Sequence, residues 1–177
     1  MPLNRHKWIL LSFAGLTLSL SLNGDTKSKW LSTQIPSAEE VGSAEVSYIF
    51  WDLYEVELYA PNGAYTENSS FALSLRYQRE IKADRILKSS MDEMRRMGAD
   101  EVKLAQWYDL LKGIFPDVSK GDTLTGIFQP GQPTHFYYDD VLIGTIPDPA
   151  FGHHFSQIWL GPEARYPEVR QALKGAS

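Results

Sequence analysis

The 177-residue chain contains no cysteine. That absence excludes a disulfide framework, a thiolate zinc site, an iron–sulfur cluster and a lipid-modified N-terminal cysteine, so redox compartment has to be read from something else. Positive charge is also short: 17 Lys and Arg stand against 22 Asp and Glu, a formal net charge of −5. No basic stripe interleaves with aromatics, which argues against a nucleic-acid binder that works by neutralising phosphates. Also missing are GxSxG, a phosphate-binding glycine loop, HExxH and any Ser/His/Asp or paired-carboxylate spacing that stands apart from turns and helix surfaces. No cofactor is expected. Long uncharged hydrophobic runs are absent after the first two dozen residues.

What is present begins there. Arg5, His6 and Lys7 precede an uncharged apolar stretch from Trp8 to Leu22, followed by polar Asn23, Gly24 and Asp25. This is the tripartite pattern of a secretory leader, and the stretch, interrupted by Ser12, Thr17, Ser19 and Ser21, is shorter than the roughly 20 apolar residues that span a bilayer. Residues 1–24 are expected to be a signal peptide whose cut site is open, with an uncleaved anchor as the alternative. The mature product is then expected in the periplasm or against a membrane surface. Residues 25–40, polar with Pro36, read as a flexible lead-in, and residues 41–177 as one domain. About 155 residues are enough for a single substantial core, and 43% hydrophobic with 22% charged residues is an ordinary globular composition.

Hydrophobic periodicity supplies the elements. Ala44, Val46, Tyr48 and Phe50 alternate with polar residues, as do Tyr54, Val56, Leu58 and Ala60 against Glu55 and Glu57, which predicts a two-stranded hairpin closed by Pro61-Asn62-Gly63. Phe71, Leu73, Leu75 and Tyr77 predict a strand over 71–79. Ile86, Leu87, Met91, Met94 and Met97 then fall at helical spacing with Gly98 as a C-terminal stop. A second helix opens at Asp100 and ends before Pro116. Three short strands follow, over 123–129, 134–138 and 141–146, with Asp139-Asp140 at the last turn. Asp148-Pro149 starts a helix to Leu160, and a last one covers 167–174. Few connections are long enough for parallel crossovers, so the fold class is α+β: an antiparallel sheet with helices packed on one face.

An ordered set of motifs runs through these segments: Leu58-Tyr59-Ala60-Pro61-Asn62-Gly63, Leu75-Arg76-Tyr77-Gln78-Arg79-Glu80-Ile81, Phe115-Pro116-Asp117-Val118 with Gly121-Asp122, Gly144 to Ile146 with Asp148-Pro149, and Ile158-Trp159-Leu160-Gly161-Pro162. Together they resemble the bacterial chalcone isomerase-like family over roughly Val41 to Leu173. The resemblance implies an open-faced β-sandwich whose large antiparallel sheet is layered with helices. It also implies a choice of functions, since family members close flavanone rings, bind fatty acids or act as non-catalytic helpers. True isomerases use a strand-borne arginine near the start of the domain, and Gly42 to Ala60 holds neither arginine nor lysine. Nothing there stabilises a developing oxyanion in the same way, so an enzyme is the less expected outcome.

The expected ligand site rests on Tyr77 and Arg79. Spaced by two on a strand they would share the face of Leu73 and Leu75, where a guanidinium fork would grip a carboxylate while an apolar chain ran along the sheet. The competing reading puts Arg79 at the strand end, reaching water or a glutamate. Met91, Met94, Trp107, Phe155 and Trp159 are core residues first and pocket walls second. Adjacent His153 and His154 point about 100° apart on a helix, and with His135 and Asp139-Asp140 they give no ligand spacing, so no metal is expected. The first expectation is therefore a periplasmic, non-catalytic binder of a fatty-acid-like or other apolar carboxylate, or a lipid. The alternatives are an envelope interaction or scaffold protein with a filled cleft, and an isomerase or lyase working through Tyr77.

Overall fold

The computed structural model describes residues 30–48 and 51–175. The expected leader and Phe50 lie outside them. Six strands pair in sequence order and are antiparallel throughout: β1 (Ala38–Tyr48), β2 (Trp51–Pro61), β3 (Phe71–Tyr77), β4 (Thr123–Phe128), β5 (Thr134–Tyr138) and β6 (Val141–Ile146). The β5–β6 turn shows why aspartates stand there: Asp139 and Asp140 have φ of 43° and 68°, the left-handed pair that a two-residue hairpin turn needs and that Asp tolerates.

Four helices follow the predicted pattern: α1 (Ala83–Arg96), α2 (Glu101–Lys112), α3 (Pro149–Leu160) and α4 (Pro167–Leu173). The Asp100 side chain accepts from Lys103 N at 3.0 Å and the Asp148 side chain from Ala150 N at 3.0 Å, so each expected cap satisfies a first-turn donor. The helices cover the face carrying Val56, Leu58, Phe71, Leu73, Phe128 and Phe136. Leu87, Met91 and Met94 of α1, Trp107 of α2, and Phe151, Phe155 and Trp159 of α3 complete one buried core with them. At the β1 edge α4 comes so close that a Cβ on Gly42 would collide with the Ala172 carbonyl oxygen. Only a residue without a side chain lets that helix seat on the sheet.

Two boundary differences change what packs on the sheet. Within the segment read as a flexible lead-in over 25–40, residues 30–34 form a helical turn and β1 already begins at Ala38. Leu31 and Ile35 are fully buried on the opposite face of the sheet, against Tyr59, Ala72 and Ile127. One apolar i, i+4 pair, preceded by Trp30 and otherwise among polar neighbours, is too short a pattern to register as a periodicity, yet it covers part of that face. The second difference is β3, which ends at Tyr77 rather than Arg79. Gln78 to Glu80 form a bend before Ile81 pairs again with Val118, the two backbones exchanging bonds of 3.0 Å.

Candidate ligand-binding site

The shortened strand decides where the expected pair goes. Tyr77 points into the helix-covered layer and is 2% exposed, whereas Arg79 lies in the bend and is exposed. Period-2 geometry stops at the end of the ladder, so the two side chains do not share a strand face. That expectation is corrected: Arg79 lies exposed beyond the strand end and not on the inner face beside the Tyr77 phenol.

Around Tyr77 the sheet builds a small apolar cluster. Its buried members are Tyr77, Val118 and Leu124, and Leu75, Ile81, Ile86 and Ile143 pack against it half-buried. The β2–β3 register sets Tyr54 directly opposite Tyr77, and the rings meet edge to face with centroids 5.8 Å apart, a favourable arrangement for two quadrupoles. Burial pushes the Tyr77 phenol far above its ordinary pKa and that of Tyr54 up to about 12. Phenols held protonated in this way do not serve as general bases near neutral pH. Tyr54 Oη in turn accepts a hydrogen bond of 3.1 Å from the Trp159 indole on α3.

The residues expected to line a pocket divide between the core and its margin. Leu73, Met91, Met94, Trp107, Phe155 and Trp159 are all buried in the central core, and Leu75 is half-buried at its edge. Phe155 stacks on Phe151 at 5.1 Å and meets Phe136 edge-on at 5.5 Å, so aromatic rings fill the middle of the helix–sheet seam. Trp107 donates its indole N–H to Asp148 at 3.1 Å, and Lys103 Nζ reaches the same carboxylate oxygen at 2.7 Å. These bonds hold the Asp148 carboxyl below the usual carboxylate range, the Lys103 bond most of all. His154 tilts against Trp107, and His135 Nδ1 is 2.9 Å from Thr145 Oγ1. Among the described residues no group of three or more His, Asp or Glu is arranged to hold a metal.

Sequence reasoning placed Tyr54 on the inner face of its strand and did not connect it with the site. Its juxtaposition with Tyr77 depends on cross-strand register, which period-2 alternation alone does not give. Ile81 and Ile143 were missed for the same reason, because each comes from a segment whose neighbour in space is far along the chain.

Comparison with known proteins agrees with this architecture. A family model described as chalcone isomerase-like matches residues 42–175. A protein of Haemophilus influenzae, described as uncharacterized, is 25% identical over 138 residues, which is 77% of this chain and 68% of that one. Among solved structures, a fatty-acid binding protein of Arabidopsis thaliana superposes with a TM-score of 0.61 at 12% identity, over 78% of this chain and 87% of that one. At that identity the likeness is one of fold.

Proposed function

Because the chain belongs to the chalcone isomerase-like family, we propose that it is a non-catalytic binder of an apolar carboxylate such as a fatty acid, acting in the periplasm after export through residues 1–24. The observation that carries this reading is the composition of the sheet end at Tyr77. There Leu75, Ile81, Ile86 and Ile143 keep part of their apolar surface in water, close along the chain to the exposed cation of Arg79. An acyl chain laid over these side chains, with Tyr77 as the floor, removes that surface from water at ~0.8 kcal/mol per buried CH₂. A carboxylate at the Arg79 guanidinium adds a charge-assisted bond of about 1.5–3 kcal/mol. Chain length sets affinity and the arginine sets orientation. The fold likeness to a plant fatty-acid binding protein supports the ligand class. The lack of Arg or Lys from Gly42 to Ala60 supports the absence of catalysis.

The test is a calorimetric titration with dodecanoate and dodecanol. Arg79→Gln is expected to weaken dodecanoate about 10- to 100-fold, the loss of one charge-assisted bond, and to leave dodecanol unchanged. Equal dodecanoate affinity in both proteins would remove Arg79 from the site.

One observation favours a second reading, that of an envelope scaffold keeping the fold with a filled cleft. It is the aromatic packing of Phe136, Phe151 and Phe155 in the middle of the seam. On that reading neither dodecanoate nor dodecanol binds or raises the melting temperature.

A further inference from the structure

A different opening lies at the other end of the same strands, about 20 Å from Tyr77 at 3.3 Å per residue along β3. It has a volume of about 200 Å³ and sits where the ends of β3, β4 and β5 meet the first turns of α3. We propose that it binds an uncharged, hydroxyl-bearing ring the size of one sugar residue.

The first indication is an unsatisfied group. Thr134 lines the opening, is 1% exposed, and its hydroxyl has no hydrogen-bond partner among the described residues. Buried hydroxyls are nearly always paired, because an unpaired one forfeits its bonds to water. A ligand hydroxyl both donates and accepts, so it satisfies Thr134 in either sense.

The second indication is the residue above it. A Cβ at Gly152 would stand 2.7 Å from Thr134 Oγ1 and 3.3 Å from Phe128 Cδ1. Glycine at this helical position is otherwise unfavourable, and here it lets α3 lie directly against the Thr134 hydroxyl while bringing no side chain to pair with it. Phe71 and Phe128, stacked at 5.0 Å and 18°, form the floor, with Tyr65 edge-on to Phe71 at 5.2 Å. Both phenyl rings are nearly buried and close the bottom of the opening with apolar surface, which suits the C–H groups of a pyranose.

The rim disfavours anions. Asn68, Gln129, Gln132 and Gln157 bring side-chain amides to the opening, each able to donate and accept, beside the Glu67 carboxylate and the His153 ring, and among the described residues no Lys or Arg lines it. A carboxylate or phosphate meets the Glu67 carboxylate there and no lysine or arginine, which separates this site from the one proposed at Arg79. The volume falls below the about 300–1,000 Å³ of drug-sized ligand sites, so a single ring fits and a long acyl chain does not.

The experiment is an amide NMR titration of the whole protein with millimolar glucose and N-acetylglucosamine, and with hexanoate as the apolar-acid control. At least one sugar is expected to shift the Thr134, Gly152 and Gly131 amides saturably, with hexanoate leaving them in place. Thr134→Val is expected to weaken that sugar about tenfold, the worth of one hydrogen bond, with no fall in melting temperature. Gln132→Ala, on an exposed loop where folding is not at stake, is expected to weaken it several-fold. No saturable shift with either sugar, as when a water molecule alone satisfies Thr134, would overturn the proposal. So would unchanged sugar affinity in both variants, or hexanoate moving the same amides. None of these outcomes bears on dodecanoate binding at Arg79.

Discussion

Trp159 of α3 donates its indole N–H to the phenol oxygen of Tyr54 on β2 at 3.1 Å, with the Trp159 side chain buried between helix and sheet. This bond ties the helix layer to the sheet next to Tyr77. Tyr54→Phe removes the acceptor and leaves a buried donor unpaired, so a loss of about 1–2 kcal/mol is expected in chemical denaturation. In a double-mutant cycle, Trp159→Phe is expected to cost less in the Tyr54→Phe background than in the wild type. Strictly additive losses would show that the bond contributes nothing.

Asp148 joins three roles: cap of α3, acceptor for the Trp107 indole, and partner of Lys103. Asp148→Ala is expected to destabilise the protein by about 1–2 kcal/mol through the cap alone. The carboxyl is held below its ordinary pKa in the folded protein, so its contribution is complete above the unfolded value of about 3.9 and is lost as pH falls through the lower folded value. Acid unfolding followed by circular dichroism checks this: below about pH 4, the wild type is expected to lose stability more steeply than Asp148→Ala.

His154 titrates in a separate window. Burial, then the neighbouring His153, lowers its pKa from the ordinary 6.5. The unfolded chain therefore binds this proton first, and the neutral ring's contribution is full above the unfolded value and declines as pH falls through the folded one. Melting temperatures taken from pH 7 down to 5 are expected to decline less in His154→Gln than in the wild type. Parallel declines would place the pH dependence elsewhere.

Most of the fold was legible because each inner face repeats a simple period. Val56, Leu58 and Ala60 alternate as they do in the sheet, and Leu87, Met91 and Met94 recur as they do on α1. Caps and turns carried their own chemistry at Asp100, Asp148 and Asp139-Asp140. What escaped was set by pairing in space. Leu31 and Ile35 anchor a turn too brief to show a pattern. Arg79 kept the alternation of β3 in sequence, but the ladder had already ended, since the Tyr77 backbone N–H donates to the Asp122 carbonyl and the Tyr77 carbonyl accepts from Gly121. The Thr134–Gly152 contact joins a strand start to a helix first turn, and no residue pattern announces it.

The most direct measurement is native mass spectrometry of the protein purified gently from its own cells, with organic extraction of whatever accompanies it. An apolar binder of carboxylates is expected to carry a mass matching one fatty acid or related lipid, recovered in the extract and lost on denaturation. A protein recovered without any such mass, from preparation to preparation, would contradict the binding role and leave the fold as scaffold.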